Sequence, residues 1–222
     1  MQGLDGHGIL VVDVGGSHVK ARLSTVDEER RFESGPTLTA QQMADGVKKL
    51  TRDWSIDRVS IGIPAPVRDG SPVAEPVNLG SGWVGFDFES SFGLPTKVVN
   101  DAAMQALGSY DGGKMLFLGL GTGLGSTLVV DGILVPMELG HLPFRKATFE
   151  DYVGARGRKR LGKKKWQQAV LETVARLSAA LEPDYLVIGG GDARKLSELP
   201  PGARLGENDN AFLGGFRLWD GS

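Results

Sequence analysis

The sequence predicts an α/β protein of two lobes, each opened by a β-hairpin. Three observations carry this. Apolar runs of strand length alternate with stretches whose apolar residues recur at helical spacing. The run Ile9–Ser17 is echoed without a gap by Met115–Gly123, strand over strand and glycine turn over glycine turn. At Thr96–Val99, four residues of strand character run straight into the pair Asn100-Asp101, and a small-residue helix follows as far as Ser109.

Taken in order, Ile9–Val14 reads as a buried strand, Gly15-Gly16 as a tight turn and Val19–Ser24 as the hairpin partner, with Arg30–Ser34 as a third strand. Thr39 and Gln42 form a capping box, after which Met43, Val47, Leu50 and Trp54 keep helical spacing. Arg58–Ile63 is a strand closed by Pro64-Ala65-Pro66, and a loop-rich passage runs from Val67 to Gly85. The second half repeats the plan. Lys114–Leu120 is a strand, Gly121–Gly125 a turn, Ser126–Val130 the return, and Asp131-Gly132 turns into Ile133–Val135. Trp166, Ala169, Val170, Val174, Leu177 and Leu181 mark a long helix stopped by Pro183; Tyr185–Ile188 is a strand, and Gly189-Gly190-Gly191 opens a short helix at Ala193. This repetition predicts lobes at residues 1–99, rejoined by a helix at 210–219, and at 100–209, facing a cleft.

The totals narrow the function. The 222 residues suffice for two small cores. A net charge of -2 argues against a general nucleic-acid binder. The 33 glycines are about twice the usual share and sit at turns, which suits close approach of backbone to a ligand. No cysteine is present, so disulfides and thiolate zinc sites are excluded. Without a transmembrane-length apolar run or a signal pattern, the expected location is the cytoplasm, away from membranes.

Asp101 stands where a strand gives way to a helix, at the sheet edge where open α/β sheets keep their ligands. It reads either as an N-cap or as a functional carboxylate. The two glycine turns read either as ordinary hairpin turns or as nests of N–H groups for phosphate oxygens. On the second reading Asp13, Gly15, Gly16, Ser17 and Lys20 form one phosphate site and Gly121, Thr122 and Gly123 another, with Asp13 available to Mg²⁺. Gly189, Gly190 and Gly191 form a plain strand-to-helix turn or a surface on which a nucleotide lies. Gly157–Lys164 nearly matches the P-loop spacing, but Lys164 stands where Ser or Thr is needed and no strand precedes it. That motif is rejected.

With these residues in view, Asp13-Val14-Gly15-Gly16-Ser17-His18-Val19-Lys20 resembles the first phosphate motif of the sugar-kinase, heat-shock-protein and actin superfamily. Asn100-Asp101-Ala102, Leu120–Ser126 and Glu138-Leu139-Gly140-His141 resemble the ROK (repressor, open reading frame, kinase) family, as do Ile61–Ala65, Asn78–Trp83 and Phe149–Val153. Within it, Gly121–Ser126, Asp131-Gly132, Leu134–Pro136, Glu138–Leu142, Gly189–Gly191 and Asn210–Gly215 look like polyphosphate glucokinases.

The resemblance implies an actin-like (ribonuclease H-like) two-lobed sugar kinase fold with a duplicated βββαβα unit. The implied reaction is transfer of a terminal phosphoryl group from polyphosphate or ATP to the 6-hydroxyl of glucose. Asp101 is then the general base; Asn100, Glu138, His141, Glu150 and Asn78 hold the sugar hydroxyls; Mg²⁺ assists. A silent sugar or polyphosphate sensor and a kinase for another hexose remain alternatives. The cysteine-rich zinc motif that many family members carry is absent, so no zinc is expected. No helix-turn-helix precedes Ile9, so a repressor is not expected. The family tends toward dimers.

Arg156, Arg158, Lys159, Arg160, Lys163, Lys164 and Lys165 put seven positive charges into ten residues. They read as a solvated helix surface or a mobile loop, or as a track for a polyanionic donor. Trp83 is a candidate to border the sugar, whereas Trp54, Trp166 and Trp219 read as packing residues.

Overall fold

The strand Ile9–Val14 (β1) is the middle of a five-stranded sheet in the computed structural model, which describes residues 8–207 and 209–220. On one side β1 pairs antiparallel with His18–Leu23 (β2), which pairs antiparallel with Glu29–Glu33 (β3). On the other it pairs parallel with Arg58–Ile63 (β4). Burial follows position in the sheet. The central β1 is buried on both faces, β2 alternates, and the edge strand β3 exposes Glu29, Arg31 and Glu33, charges that discourage edge-to-edge pairing.

Leu10, Val12 and Val14 pack on one face with Met43 and Val47 of the helix Ala40–Leu50 (α1), which starts at the capping box of Thr39 and Gln42. Ile9 and Val11 point the other way, against Met104 and Phe212. Phe212 lies on the C-terminal helix Asn210–Arg217. Gly215 there allows close approach: a Cβ would stand 2.3 Å from Val11 Cγ1. Its carbonyl accepts from Ser60 Oγ at 2.7 Å, and the Trp219 indole donates to that Ser60 hydroxyl at 2.8 Å.

After β4, the small hairpin Val67–Arg68 (β5) and Ser71–Pro72 (β6) leads into the loop that carries Asn78. The short helix Phe88–Phe92 (α2) then precedes Thr96–Asn100 (β7), which adds to the sheet parallel to β4. Asp101–Gly108 (α3) follows at once.

The second sheet repeats the plan. Lys114–Leu120 (β8), Leu124–Val130 (β9) and Ile133–Met137 (β10) run antiparallel in sequence. The hairpin Pro143–Phe144 (β11) and Ala147–Thr148 (β12), the helix Phe149–Val153 (α4) and the long helix Ala155–Leu181 (α5) come next. Tyr185–Gly189 (β13) then pairs parallel with β8, and Ala203–Leu205 (β14) parallel with β13. The sheet orders β3-β2-β1-β4-β7 and β10-β9-β8-β13-β14 are the same topology twice. A three-residue turn joins the first hairpin of each.

Two compact units result, one of residues up to Met104 with those from Ala211 onward, the other Gln105–Asn210. Trp166, Ala169, Val170, Val174 and Leu177 of α5 pack with Leu116, Leu118 and Ile188 to form the second core.

The structure extends the long helix beyond its apolar stretch, back to Ala155. Most of the basic residues there face solvent and so gave no amphipathic signal. The helix is interrupted at Gly162, whose φ of 73° and ψ of 165° leave the helical region. No helix among the described residues is long and apolar enough to cross a membrane.

Candidate active site in two half-sites

In the first unit the site residues gather at the carboxyl ends of the parallel strands. Asp13 on β1 lies beside Gly62 on β4 in the pairing register, and Ile63 lies beside Asn100 on β7. A Cβ on Gly62 would come within 3.5 Å of the Asp101 Cα. Asp13 and Asp101 therefore flank Gly62. Asn100 takes the capping position, for its Oδ1 accepts from the N–H groups of Ala102 at 3.0 Å and Ala103 at 3.2 Å. Asn100, not Asp101, caps α3. Its amide also donates to the Ala65 carbonyl at 3.1 Å, tying β7 to the loop after β4. Asp101 Oδ1 accepts from Ala102 N at 2.8 Å.

Asp13 is partly buried, and its carboxylate makes no hydrogen bond among the described residues. Burial pushes its carboxyl above the ordinary value; Lys20, directly across on β2, pulls it back in part, and Glu29 adds to the rise. A carboxylate without a protein donor, next to open turn amides, fits a cation that keeps most of its shell as water and phosphate, which is how Mg²⁺ is usually held. No cluster of three or more His, Asp or Glu side chains exists among the described residues that would cage a metal alone.

The turn Gly15–Ser17 closes with Gly15 N–H donating to His18 O at 2.9 Å. The Gly16 and Ser17 amides have no acceptor among the described residues. Neither Gly15 nor Gly16 adopts positive φ, so the left-handed conformation that hairpin glycines commonly serve is not the reason for them. Close approach accounts for Gly15, where a Cβ would meet His18 O at 3.1 Å; a Cβ on Gly16 would make ordinary contact with Asn78 Cβ at 3.5 Å. Asn78 is therefore brought to the first glycine turn. Its loop is held by Glu75, whose carboxylate accepts from the N–H groups of Gly82 at 3.1 Å and Trp83 at 3.0 Å. Trp83 is a correction. Its ring is fully buried and its indole N–H donates to Leu38 O at 3.3 Å, so it anchors the loop and does not border a ligand.

The second unit gathers the remaining sugar candidates. The turn Gly121–Gly123 closes with Gly121 N–H donating to Gly123 O at 3.2 Å, and the Thr122 and Gly123 amides have no acceptor among the described residues. A Cβ on Gly123 would stand 2.0 Å from Glu150 Oε2, so the Glu150 carboxylate rests on this turn. A Cβ on Gly140 would lie 3.3 Å from Glu150 Cβ and 2.9 Å from Leu124 O. This places the short 3₁₀ turn Leu139–His141 against the same spot. Ser126 on β9 fixes it: its hydroxyl donates to Met137 O at 2.7 Å and accepts from Leu139 N–H at 3.1 Å. Glu138 and His141 are exposed, and their side chains make no hydrogen bond among the described residues. Two segments, the 3₁₀ turn that carries Glu138 and His141 and the helix α4 that carries Glu150, thus meet beside the second glycine turn.

The glycine run after β13 has mixed reasons. Gly190 has φ of 83° and abuts the Leu120 backbone, Gly189 packs on the Phe117 ring, and Gly191 faces open space. Asp192 follows, nearly buried. Burial raises its carboxyl, but hydrogen bonds from Lys195 and from Arg158 of α5 at 2.8 Å more than offset that and hold it below the usual range. One member of the basic run is thereby a strut. Arg160 donates to Asp151 O, whereas Arg156, Lys159, Lys163, Lys164 and Lys165 are exposed with no ion pair among the described residues.

Sequence reasoning passed over Glu75 and Ser34, which hold the site loops from outside any motif; no local signal marked either one.

Comparison with known proteins agrees with this geometry. The ROK family profile matches residues 9–159. A polyphosphate glucokinase of Mycobacterium tuberculosis is 24% identical, over 86% of this chain and 80% of its own. An N-acetylmannosamine kinase of Citrobacter koseri is 31% identical over 57% of this chain and 49% of its own. Among solved structures, an inorganic polyphosphate/ATP-glucomannokinase from Arthrobacter sp. strain KM aligns with a TM-score of 0.81 at 22% identity, covering 96% of this chain and 98% of that one. A ROK family glucokinase from Streptomyces griseus, in complex with glucose and AMPPNP, aligns at 0.69 and 18% identity over 95% and 98%. The fold is accordingly the actin-like fold of ROK sugar kinases. With the matched profile spanning both hairpins, both glycine turns and the Asn100-Asp101 pair, the chain belongs to the ROK family.

Proposed function

We propose that the two half-sites serve one reaction, phosphorylation of the 6-hydroxyl of glucose by polyphosphate or ATP. The observation that carries this is the position of Asp101, directly after the Asn100 that caps α3 and beside Gly62 and Asp13 at the sheet edge. In this reading the sugar oxygen bonds to the terminal phosphorus of the donor as the bridging P–O bond breaks. The hydroxyl proton passes to the Asp101 carboxylate, and the bridging oxygen leaves with its electron pair on ADP or the shortened polyphosphate. A base placed in this way is worth about 10²–10⁴-fold.

Asn78, Glu138, His141 and Glu150 would bind the ring hydroxyls, with Asn100 contributing its remaining amide hydrogen. Groups of that kind reject analogues that leave them unpaired. The open amides of both glycine turns and Lys20 would hold phosphoryl charge, the main protein task in such transfers. Mg²⁺ held by Asp13 and donor phosphate would neutralise developing charge. Gly189–Gly191 would support the nucleotide when ATP is the donor. The protein would act in the cytoplasm, without membrane or nucleic acid, and as a dimer.

Phosphorylation of another hexose is a second reading, favoured by the 31% identity to an N-acetylmannosamine kinase. One experiment tests both. ATP, GTP and long-chain polyphosphate are each assayed against glucose, mannose, glucosamine and N-acetylmannosamine, with Asp101→Asn as control. Glucose turnover lost in the variant supports the proposal; turnover of N-acetylmannosamine alone shifts the acceptor; no turnover with any pair refutes the kinase reading.

A further inference from the structure

The first phosphate turn is gripped from one side by a residue outside every motif. Ser34, just past β3, donates its hydroxyl to Gly15 O at 2.6 Å and its N–H to Ser17 O at 3.0 Å. Because a trans peptide sets its carbonyl and N–H on opposite sides, capture of the Gly15 oxygen turns the Gly16 N–H away from Ser34. That amide is among those with no acceptor among the described residues.

The second turn has the same arrangement from a different source. Ala155 N–H, at the start of α5, donates to Gly121 O at 2.8 Å and Thr122 O at 3.3 Å. By the same geometry the Thr122 and Gly123 amides are turned away. Gly154 makes the approach possible, since a Cβ there would sit 2.7 Å from Thr122 O. Both halves of the duplicated fold thus hold the turn's carbonyls from one side and leave its amides open on the other. Only in the first half is a side chain responsible.

We infer that Ser34 is a positioning residue for the donor phosphate, acting through the peptide planes of Gly15–Ser17 without touching the ligand. This rests on the reading of that turn as a phosphate site. Preorganised donors stabilise charge without reorganising as it develops, so loosening the turn should weaken donor binding and leave the sugar half intact.

The test uses the full chain with Ser34→Ala and Ser34→Thr, the latter keeping the hydroxyl. Equilibrium binding of ATP and of inorganic pyrophosphate, measured with Mg²⁺ and no turnover, is compared with the hexose KM. The alanine variant is expected to raise both dissociation constants about fivefold, the worth of one ordinary hydrogen bond. Hexose KM should stay within twofold, and threonine should restore donor binding. Unchanged donor binding in Ser34→Ala, an equal rise in hexose KM, or equal loss in both variants overturns the inference. Failure of the kinase reading is separable: Ser34-dependent pyrophosphate binding by a chain that phosphorylates no hexose supports the inference and refutes only the reaction.

Discussion

The Cα of Asp101 lies 3.5 Å from the point that a Cβ on Gly62 would occupy, and Gly62 is the strand neighbour of Asp13. The absence of a side chain at Gly62 leaves room there for Met104, whose Cε would stand 2.4 Å from such a Cβ. The environments of the two carboxylates differ: Asp13 carries a raised pKa from burial, while Asp101 opens a helix that Asn100 caps. Replacing Asp101 by Asn keeps shape and removes the proton acceptor. We expect kcat to fall about 10²–10⁴-fold, with hexose KM changed no more than a few-fold. Steady-state kinetics check this, and kcat within tenfold of wild type would reassign the base.

Asp13 supplies a pH signature. Its folded carboxyl titrates above the ordinary 3.8, so in the window above that value the folded state binds more protons than the unfolded one. Stability contributed at this site therefore falls as pH rises through the window. Asp13→Asn removes the cost of a desolvated charge. We expect the variant to melt at or above the wild-type temperature near neutral pH, with the difference closing below pH about 4, and its kinase activity to be lost. Thermal melts across pH read the first part. A variant less stable at neutral than at acid pH, relative to wild type, contradicts it.

Gly123 and Glu150 are linked sterically. A methyl at position 123 would stand 2.0 Å from Glu150 Oε2, and the carboxylate is the part able to move. Gly123→Ala is expected to cost no more than about 1–3 kcal/mol of stability while raising hexose KM roughly tenfold, comparable with Glu150→Gln. Activity assays with varied sugar, beside a denaturant melt, separate the two effects. Unchanged hexose KM would detach Glu150 from the sugar.

The five exposed cations on α5 without ion pairs among the described residues make a polyanion track testable. Three of them, Lys163–Lys165, follow the break at Gly162 and so begin a new helical segment, where positive charge opposes the helix dipole. Lys163, Lys164 and Lys165 changed together to Ala should raise KM for long-chain polyphosphate about tenfold and leave KM for ATP within twofold. The polyphosphate KM should also climb with ionic strength in wild type and less in the variant. Equal changes for both donors would return the run to a solvated helix face.

Much of this protein is written locally. Periodicity and turn residues specify β1, β4 and β8 to the residue, because a strand buried on both faces is a bounded apolar run. The capping box at Thr39 and the echo of Ile9–Ser17 in Met115–Gly123 are equally local, as are the motifs that bear Asp101, Glu138 and His141. Packing and hydrogen bonds between distant segments decided the rest. Whether Asp101 or Asn100 caps α3, whether Trp83 faces a ligand or the core, and which residue grips the first turn depend on partners tens of positions apart: Asn100 with Ala65, Trp83 with Leu38, Ser34 with Gly15. Helix α5 started earlier than its apolar pattern because solvent-facing cations follow no periodicity a core would impose. A sequence records which groups a chain carries and where strands and helices begin; only folding determines which of those groups are already satisfied by one another and which are left for a ligand.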